Sequence, residues 1–125
     1  MKESNKFSIS ARLQSFKFAI EGILLLFKTE HNAWIHILSG LIVTFLGIYL
    51  KLSKTEWCFI VFAIGFVFVT EILNTSIEYL TDLVSPNYNE KAKKVKDLAA
   101  GGVLFSTITA VIIGLIIFWP KIMQI

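Results

Sequence analysis

The sequence predicts an all-α integral membrane protein: an N-terminal amphipathic surface helix followed by three transmembrane helices. Three observations predict it. Hydrophobic residues make up 55% of the 125 and charged ones 17%, an apolar balance for a small chain. The apolar residues are also clustered, because 35–50 and 57–70 carry no charge and 98–119 adds a third uncharged run. A spanning helix needs about 20 apolar residues, with roughly 17 as its lower limit. Finally, the charges are sorted. Lys2, Lys6, Arg12, Lys17 and Lys28 precede the first span, and Lys91, Lys93, Lys94 and Lys96 lie between the second and third. Only Lys51, Lys54 and Lys121 fall on the other side. The positive-inside rule then makes the N-terminus and the second loop of this multi-pass chain cytoplasmic.

The chain is expected to form one membrane domain over 1–125. Residues 7–28, FSISARLQSFKFAIEGILLLFK, mix large apolar side chains with Arg12, Lys17, Glu21 and Lys28. That pattern suits a helix lying on the cytoplasmic interface, with a bend at Gly22. The first span, 33–50, recruits Trp34 and Tyr49 as interfacial anchors. A short outer loop, LKLSKTE, leads to the second span, 57–82. Pro86 and two asparagines in SPNYNEKAKK end that helix near Val84. The segment EKAKKVKDLAA is helical and runs into the third span, 97–119. No cleavable signal is expected from MKESNKFSISARLQ, so the first span serves as the targeting signal. The single cysteine, Cys58, excludes an intrachain disulfide and a thiolate zinc site. With the basic residues assigned to topology, no nucleic-acid partner is expected.

The second span poses the chemical question. Its inner half, TEILNTSIEYLTD, carries Glu71, Asn74, Glu78 and Asp82. A carboxylate near the centre of a membrane helix costs roughly 2.5–3.5 kcal/mol by insertion measurements. At about 100° per residue these four fall on one narrow face, while Val69, Ile72, Leu73 and Leu80 lie opposite. With Trp57 at the outer interface, Glu71 lies roughly 21 Å inward and Glu78 about 31 Å, near the inner edge of the hydrocarbon. The cluster Thr29-Glu30-His31-Asn32 enters the first span at that level, and Lys96-Asp97 enters the third, followed by Ala99, Ala100, Gly101 and Gly102. Small residues there let helices approach closely. A three-span chain has little surface on which to hide such a stripe. Neighbouring copies are therefore expected to cover it in a homo-oligomer.

Glu30, Glu71 and Glu78 would repel one another unless a cation or proton intervened. A few hard oxygen ligands suit Mg²⁺, which commonly binds one or two carboxylates plus substrate phosphates. A spare, partly desolvated carboxylate suits a general base. Lys96 adds a point charge for phosphate. An enzyme moving a phosphoryl group from a cytosolic nucleotide to a lipid hydroxyl needs this inventory at this depth.

The stretch EILNTSIEYLTD, followed about 14 residues later by KDLAAGGVL and preceded by Glu30, resembles the prokaryotic diacylglycerol kinases, a family that includes the undecaprenol kinases. The resemblance covers about residues 12–120. It implies a three-span homotrimer of the bacterial inner membrane with an N-terminal surface helix, using ATP with Mg²⁺ and no P-loop. This sequence likewise lacks a G-x-x-x-x-G-K-[ST] motif. By resemblance, Glu30 and Glu78 hold the metal, and Glu71 is the general base that takes the lipid hydroxyl proton. Asn74 orients substrate or base, and Lys96 and Asp97 contact the nucleotide. Asp82 matches a polar family position. Trp34 stands where family members often carry a basic residue, so no phosphate contact is assigned there, and Arg12 receives no role.

The expected activity is thus phosphorylation of a lipid alcohol, diacylglycerol giving phosphatidic acid, with undecaprenol as the alternative substrate. Two readings of other classes compete. A small cation-coupled carrier would use the intramembrane acids for transport, but paired half-helices and a second, outer set of acids are missing. A non-catalytic assembly subunit would use Glu71 and Glu78 only to pair with Lys96 or Asn74. Glu30 alone would read as a helix N-terminal charge. His31 and His36 read as interfacial fillers, Trp34, Trp57 and Trp119 as interface anchors, and Thr75 and Ser76 as packing residues.

Overall fold

A computed structural model describes residues 7–125. Lys2 and Lys6 of the basic N-terminal segment lie outside the described residues. Four helices follow in order: α1 (Ile9–Thr29), α2 (His31–Tyr49), α3 (Lys54–Val84) and α4 (Glu90–Ile122). The last three are long and apolar enough to cross a membrane. Together with the apolar surface described below, they make this an all-helical membrane protein.

Each helix begins where a polar side chain satisfies its first free N–H groups. Ser8 Oγ accepts from Ala11 N at 3.2 Å to open α1. Ser53 and Glu56 form a reciprocal capping box, which starts α3 at Lys54, three residues before the apolar run. Asn89 Oδ1 accepts from the amides of Lys91 and Ala92, so α4 begins at Glu90, well ahead of its apolar stretch. These extensions have a functional consequence. At 1.5 Å per residue the 31 residues of α3 reach about 46 Å, well beyond a hydrocarbon core of about 30 Å. The polar ends of α3 and α4 therefore project past the core together.

The α3 and α4 helices form the main antiparallel pair. Thr70 hydrogen-bonds Ser106 at 2.7 Å, and Lys96 meets Asp82 at 2.6 Å, which fixes their register. Ser106 is fully buried. At the opposite end from the polar cluster, Leu52, Ile60, Ile117 and Phe118 make the core, with Trp57 and Leu46 packed against it. Gly47 is required there: a Cβ would come within 2.7 Å of the Trp57 ring and 2.9 Å of Leu52. Trp57 was expected to face the interface as an anchor. It is instead half-buried, because Gly47 opens the slot that its ring fills.

The sequence places a bend at Gly22, but α1 is continuous there and the chain turns at Glu30. Glu30 has extended backbone (φ −117, ψ 113), and its amide closes α1 on Leu26 O. Leu26 and Ala33 are buried on either side of this corner. Trp34 locks it. The indole Nε1 donates to Phe27 O at 2.8 Å, and the ring meets Phe27 edge-on at 5.1 Å. An indole bonded to the corner in this way is a structural clamp, which accounts for an aromatic at this position.

Large apolar side chains such as Phe45, Phe62, Phe105 and Ile116 are two-thirds or more exposed on the outside of the bundle. Such a surface is at home in lipid or against another copy.

Candidate active site

The α3 stripe is not uniform. Glu71 is 1% exposed and Thr75 7%, whereas Glu78 is half-buried and Asp82 exposed. The deep end of the stripe is therefore covered by the chain itself rather than by a neighbouring copy. One polar partner comes from α2. Glu71 Oε2 lies 2.9 Å from His36 Nε2, with His36 still 19% exposed at its side chain. His36 is thus no interfacial filler. It is the hydrogen-bond partner of the most buried acid, a place the sequence reading had offered to Lys96 or Asn74.

One helical turn below Glu71, a small polar cavity of about 200 Å³ opens between the α1–α2 corner and α3. Thr29, Glu30, Thr75, Glu78, Tyr79 and Asp82 line it. Glu30 occupies the N-cap position of α2 yet makes no side-chain cap bond. Its carboxylate is not consumed by the helix terminus, which removes the simplest structural explanation for it. Partial burial, then the charges of Glu78 and Glu71, hold the Glu30 carboxyl above the usual carboxylate range, with His31 opposing. The corner thus concentrates negative charge on one cavity.

Lys96 reaches this rim from α4. Its Nζ bonds Asp82 Oδ1 at 2.6 Å, in a pair that is 39% and 64% exposed at its side chains. Exposed pairs of this kind contribute roughly 0–1 kcal/mol, so the pair can open for a ligand phosphate at little cost. Asp97 goes elsewhere. It pairs with Lys93 at 2.7 Å and lines a separate surface hollow with Leu98, Gly101 and Phe105. Within one chain, Glu30, Glu78, Asp82 and Lys96 gather at one rim while Asp97 does not join them.

Asn74 Oδ1 and Thr75 Oγ1 are buried and have no hydrogen-bond partner among the described residues. Buried polar atoms are nearly always paired in native proteins, and Thr75 borders the polar cavity, where a partner for its hydroxyl has room, whereas Asn74 does not border it.

Among the described residues, no group of three or more His, Cys, Asp or Glu side chains forms a metal cage. Two carboxylates at the edge of one cavity fit a different kind of ion. Mg²⁺ keeps most of its waters and takes one or two carboxylates plus phosphate oxygens, so Glu30 and Glu78 suffice on the protein side.

The profile of the family "Prokaryotic diacylglycerol kinase" matches residues 17–118, which includes every candidate residue above. The chain is 39% identical over 109 residues to the undecaprenol kinase of Bacillus subtilis, covering 87% of this chain and 89% of that protein. It is 35% identical over 114 residues to the diacylglycerol kinase of Synechocystis sp., covering 90% of this chain and 65% of that one. The diacylglycerol kinase of Escherichia coli K12 shares 28% over 79 residues, 63% of this chain and 65% of its own. On the extent of the profile match and on these identities, the chain belongs to the prokaryotic diacylglycerol kinase family.

Proposed function

We propose that this protein is a membrane lipid kinase that transfers the γ-phosphoryl group of ATP to the hydroxyl of a lipid alcohol. One observation carries the reading: a carboxylate-lined cavity at the projecting ends of the helices, one turn from a sealed glutamate at membrane depth, in a chain of this family. Glu30 and Glu78 would hold Mg²⁺, which when bound to the ATP phosphates neutralises charge developing on the transferred group. Lys96, released from Asp82, would bind a phosphate oxygen. Asn74 would orient substrate through its unpartnered Oδ1. Glu71 would be the final acceptor of the hydroxyl proton.

Diacylglycerol is the substrate the family name suggests. Undecaprenol is a second reading, favoured by the undecaprenol kinase of Bacillus subtilis, which shares higher identity and fuller coverage than the diacylglycerol kinases named above. Purified protein in mixed micelles with ATP, Mg²⁺ and each lipid separates the two. Phosphorylation of neither lipid would end the lipid-kinase reading.

The N-terminus and the 85–89 loop are proposed to face the cytoplasm, on the distribution of lysine and arginine. A cysteine at Asn87, in a Cys58→Ser background, should react with an impermeant maleimide only after the cells are opened. Labelling in intact cells would put the nucleotide cavity on the wrong side of the membrane.

Assembly as a homotrimer is proposed from the family, and Asp97 supports a shared site. It faces away from the cavity of its own chain, and its exposed pair with Lys93 can open for a neighbour at little cost. Mixing inactive Glu71→Gln chains with inactive Asp97→Asn chains should then restore part of the activity. A mixed trimer with no recovered activity would place each site within one chain.

A further inference from the structure

Glu71 lines neither the polar cavity nor the apolar groove on its other side. That groove, about 250 Å³, runs between α2, α3 and α4, and its lining includes Gly40, Ala63, Val67, Thr107 and Gly114. His36 also lines it, as the one ionisable side chain among its lining residues. So a lipid hydroxyl arriving along the groove meets His36 before Glu71. The imidazole has two nitrogens, and Nε2 faces the carboxylate at 2.9 Å. A deprotonated Glu71 beside a neutral imidazole would place the hydrogen on Nε2 and a lone pair on Nδ1, and the relay takes that arrangement as its starting state.

We propose that His36 is a catalytic residue that relays the hydroxyl proton to Glu71. The inference rests on the lipid-kinase reading and refines its base. The lipid O–H gives its proton to His36 Nδ1 as the oxygen forms its bond to the γ-phosphorus of ATP, which the relay requires to extend from the polar cavity past Thr75 to the end of the groove. His36 Nε2 passes its own proton to Glu71 Oε2. The bond from the γ-phosphorus to the bridging oxygen breaks, and ADP leaves with that electron pair. His36 ends neutral with its proton on the other nitrogen, and Glu71 ends protonated. No further reactant is needed. The groove's small residues leave room for a chain, and its polar end is the histidine, so the same residue sets where the hydroxyl stops.

His36→Gln is the informative variant, because its amide can still donate to Glu71 but cannot move a proton between two atoms. With whichever of dioleoylglycerol and undecaprenol the wild type phosphorylates, kcat should fall by about 10²–10⁴-fold with KM for ATP little changed. The His36→Gln/Glu71→Gln double variant should be no slower than the worse single, because the two act as one unit. Free imidazole should restore part of the activity of His36→Ala. A His36→Gln enzyme within about threefold of wild-type kcat, or losses that multiply in the double variant, would overturn the relay. An independent reading comes from the active enzyme itself. In ¹⁵N-histidine spectra, with His31→Ala to assign the signal, His36 should carry its hydrogen on Nε2. Finding it on Nδ1 would also overturn the proposal. Wild-type inactivity on both lipids would instead defeat the lipid-kinase reading and the relay together.

Discussion

Glu71→Gln should lower kcat for lipid phosphorylation by about 10²–10⁴-fold, the usual worth of a general base, while KM for ATP stays within about twofold. Glutamine keeps the volume and can still accept from His36 Nε2, so neither packing nor the α2–α3 contact is lost. It also places a neutral amide at a site only 1% exposed, which adds no charge desolvation cost to the fold. What disappears is the ability to take up a proton. The nucleotide cavity should be undisturbed, because Glu71 does not line it. Turnover near the wild-type value, in a variant that assembles normally, would show that Glu71 is not the base. It would leave this buried acid a structural role as the partner of His36.

The helices were legible because a membrane imposes one simple length rule: the run 98–119 satisfies it outright, and the two shorter runs satisfy it once Trp34 and the polar stripe of the second span are included. Their starts were less legible, since capping by Ser53–Glu56 and Asn89 lies outside the apolar pattern that defined the spans. Chain direction was misjudged at one point. A glycine weakens a helix by roughly 0.5–1 kcal/mol, which is too little to break one held by packing. Glu30, with buried Leu26 and Ala33 flanking it, makes the turn instead.

The acidic stripe was legible for the same reason as the helices: it is a periodic feature of a single element. Partners across elements were not. His36 and Glu71 are 35 residues apart, and no local spacing joins them. A usable signal was nonetheless present, because a titratable side chain inside the otherwise uncharged 35–50 run carries the same desolvation argument that singled out Glu71. Lys96 and Asp97 give the opposite lesson. By resemblance both were expected to contact the nucleotide, and within one chain successive residues on a helix point about 100° apart. Lys96 therefore meets Asp82 while Asp97 turns to Lys93.

Glu78→Gln and Glu30→Gln should each raise the Mg²⁺ requirement, by about 10–100-fold if they behave as groups that hold or orient a bound metal generally do. Unlike Glu71→Gln, these variants should recover much of their rate when Mg²⁺ is raised. The pH dependence gives a sharper test. Glu30 lies outside the spans, and its carboxyl is held above the ordinary range by partial burial, then by Glu78 and Glu71. Protons should therefore compete with the cation at higher pH than they would at an ordinary carboxylate, so the Mg²⁺ requirement should climb early as pH falls. Stability without metal should move the other way. The fold favours the protonated form of Glu30, so its contribution is fully present below the ordinary carboxylate value and is lost as pH rises through the raised one. Added Mg²⁺ should remove that loss by pairing the ionised form. Glu78→Gln deletes the second of the three causes, so the acid-side rise in Mg²⁺ requirement should begin at lower pH in that variant. Turnover measured against Mg²⁺ at several pH values, alongside detergent unfolding with and without the metal, checks both signs. An unchanged Mg²⁺ requirement in both variants would remove these carboxylates from the metal site.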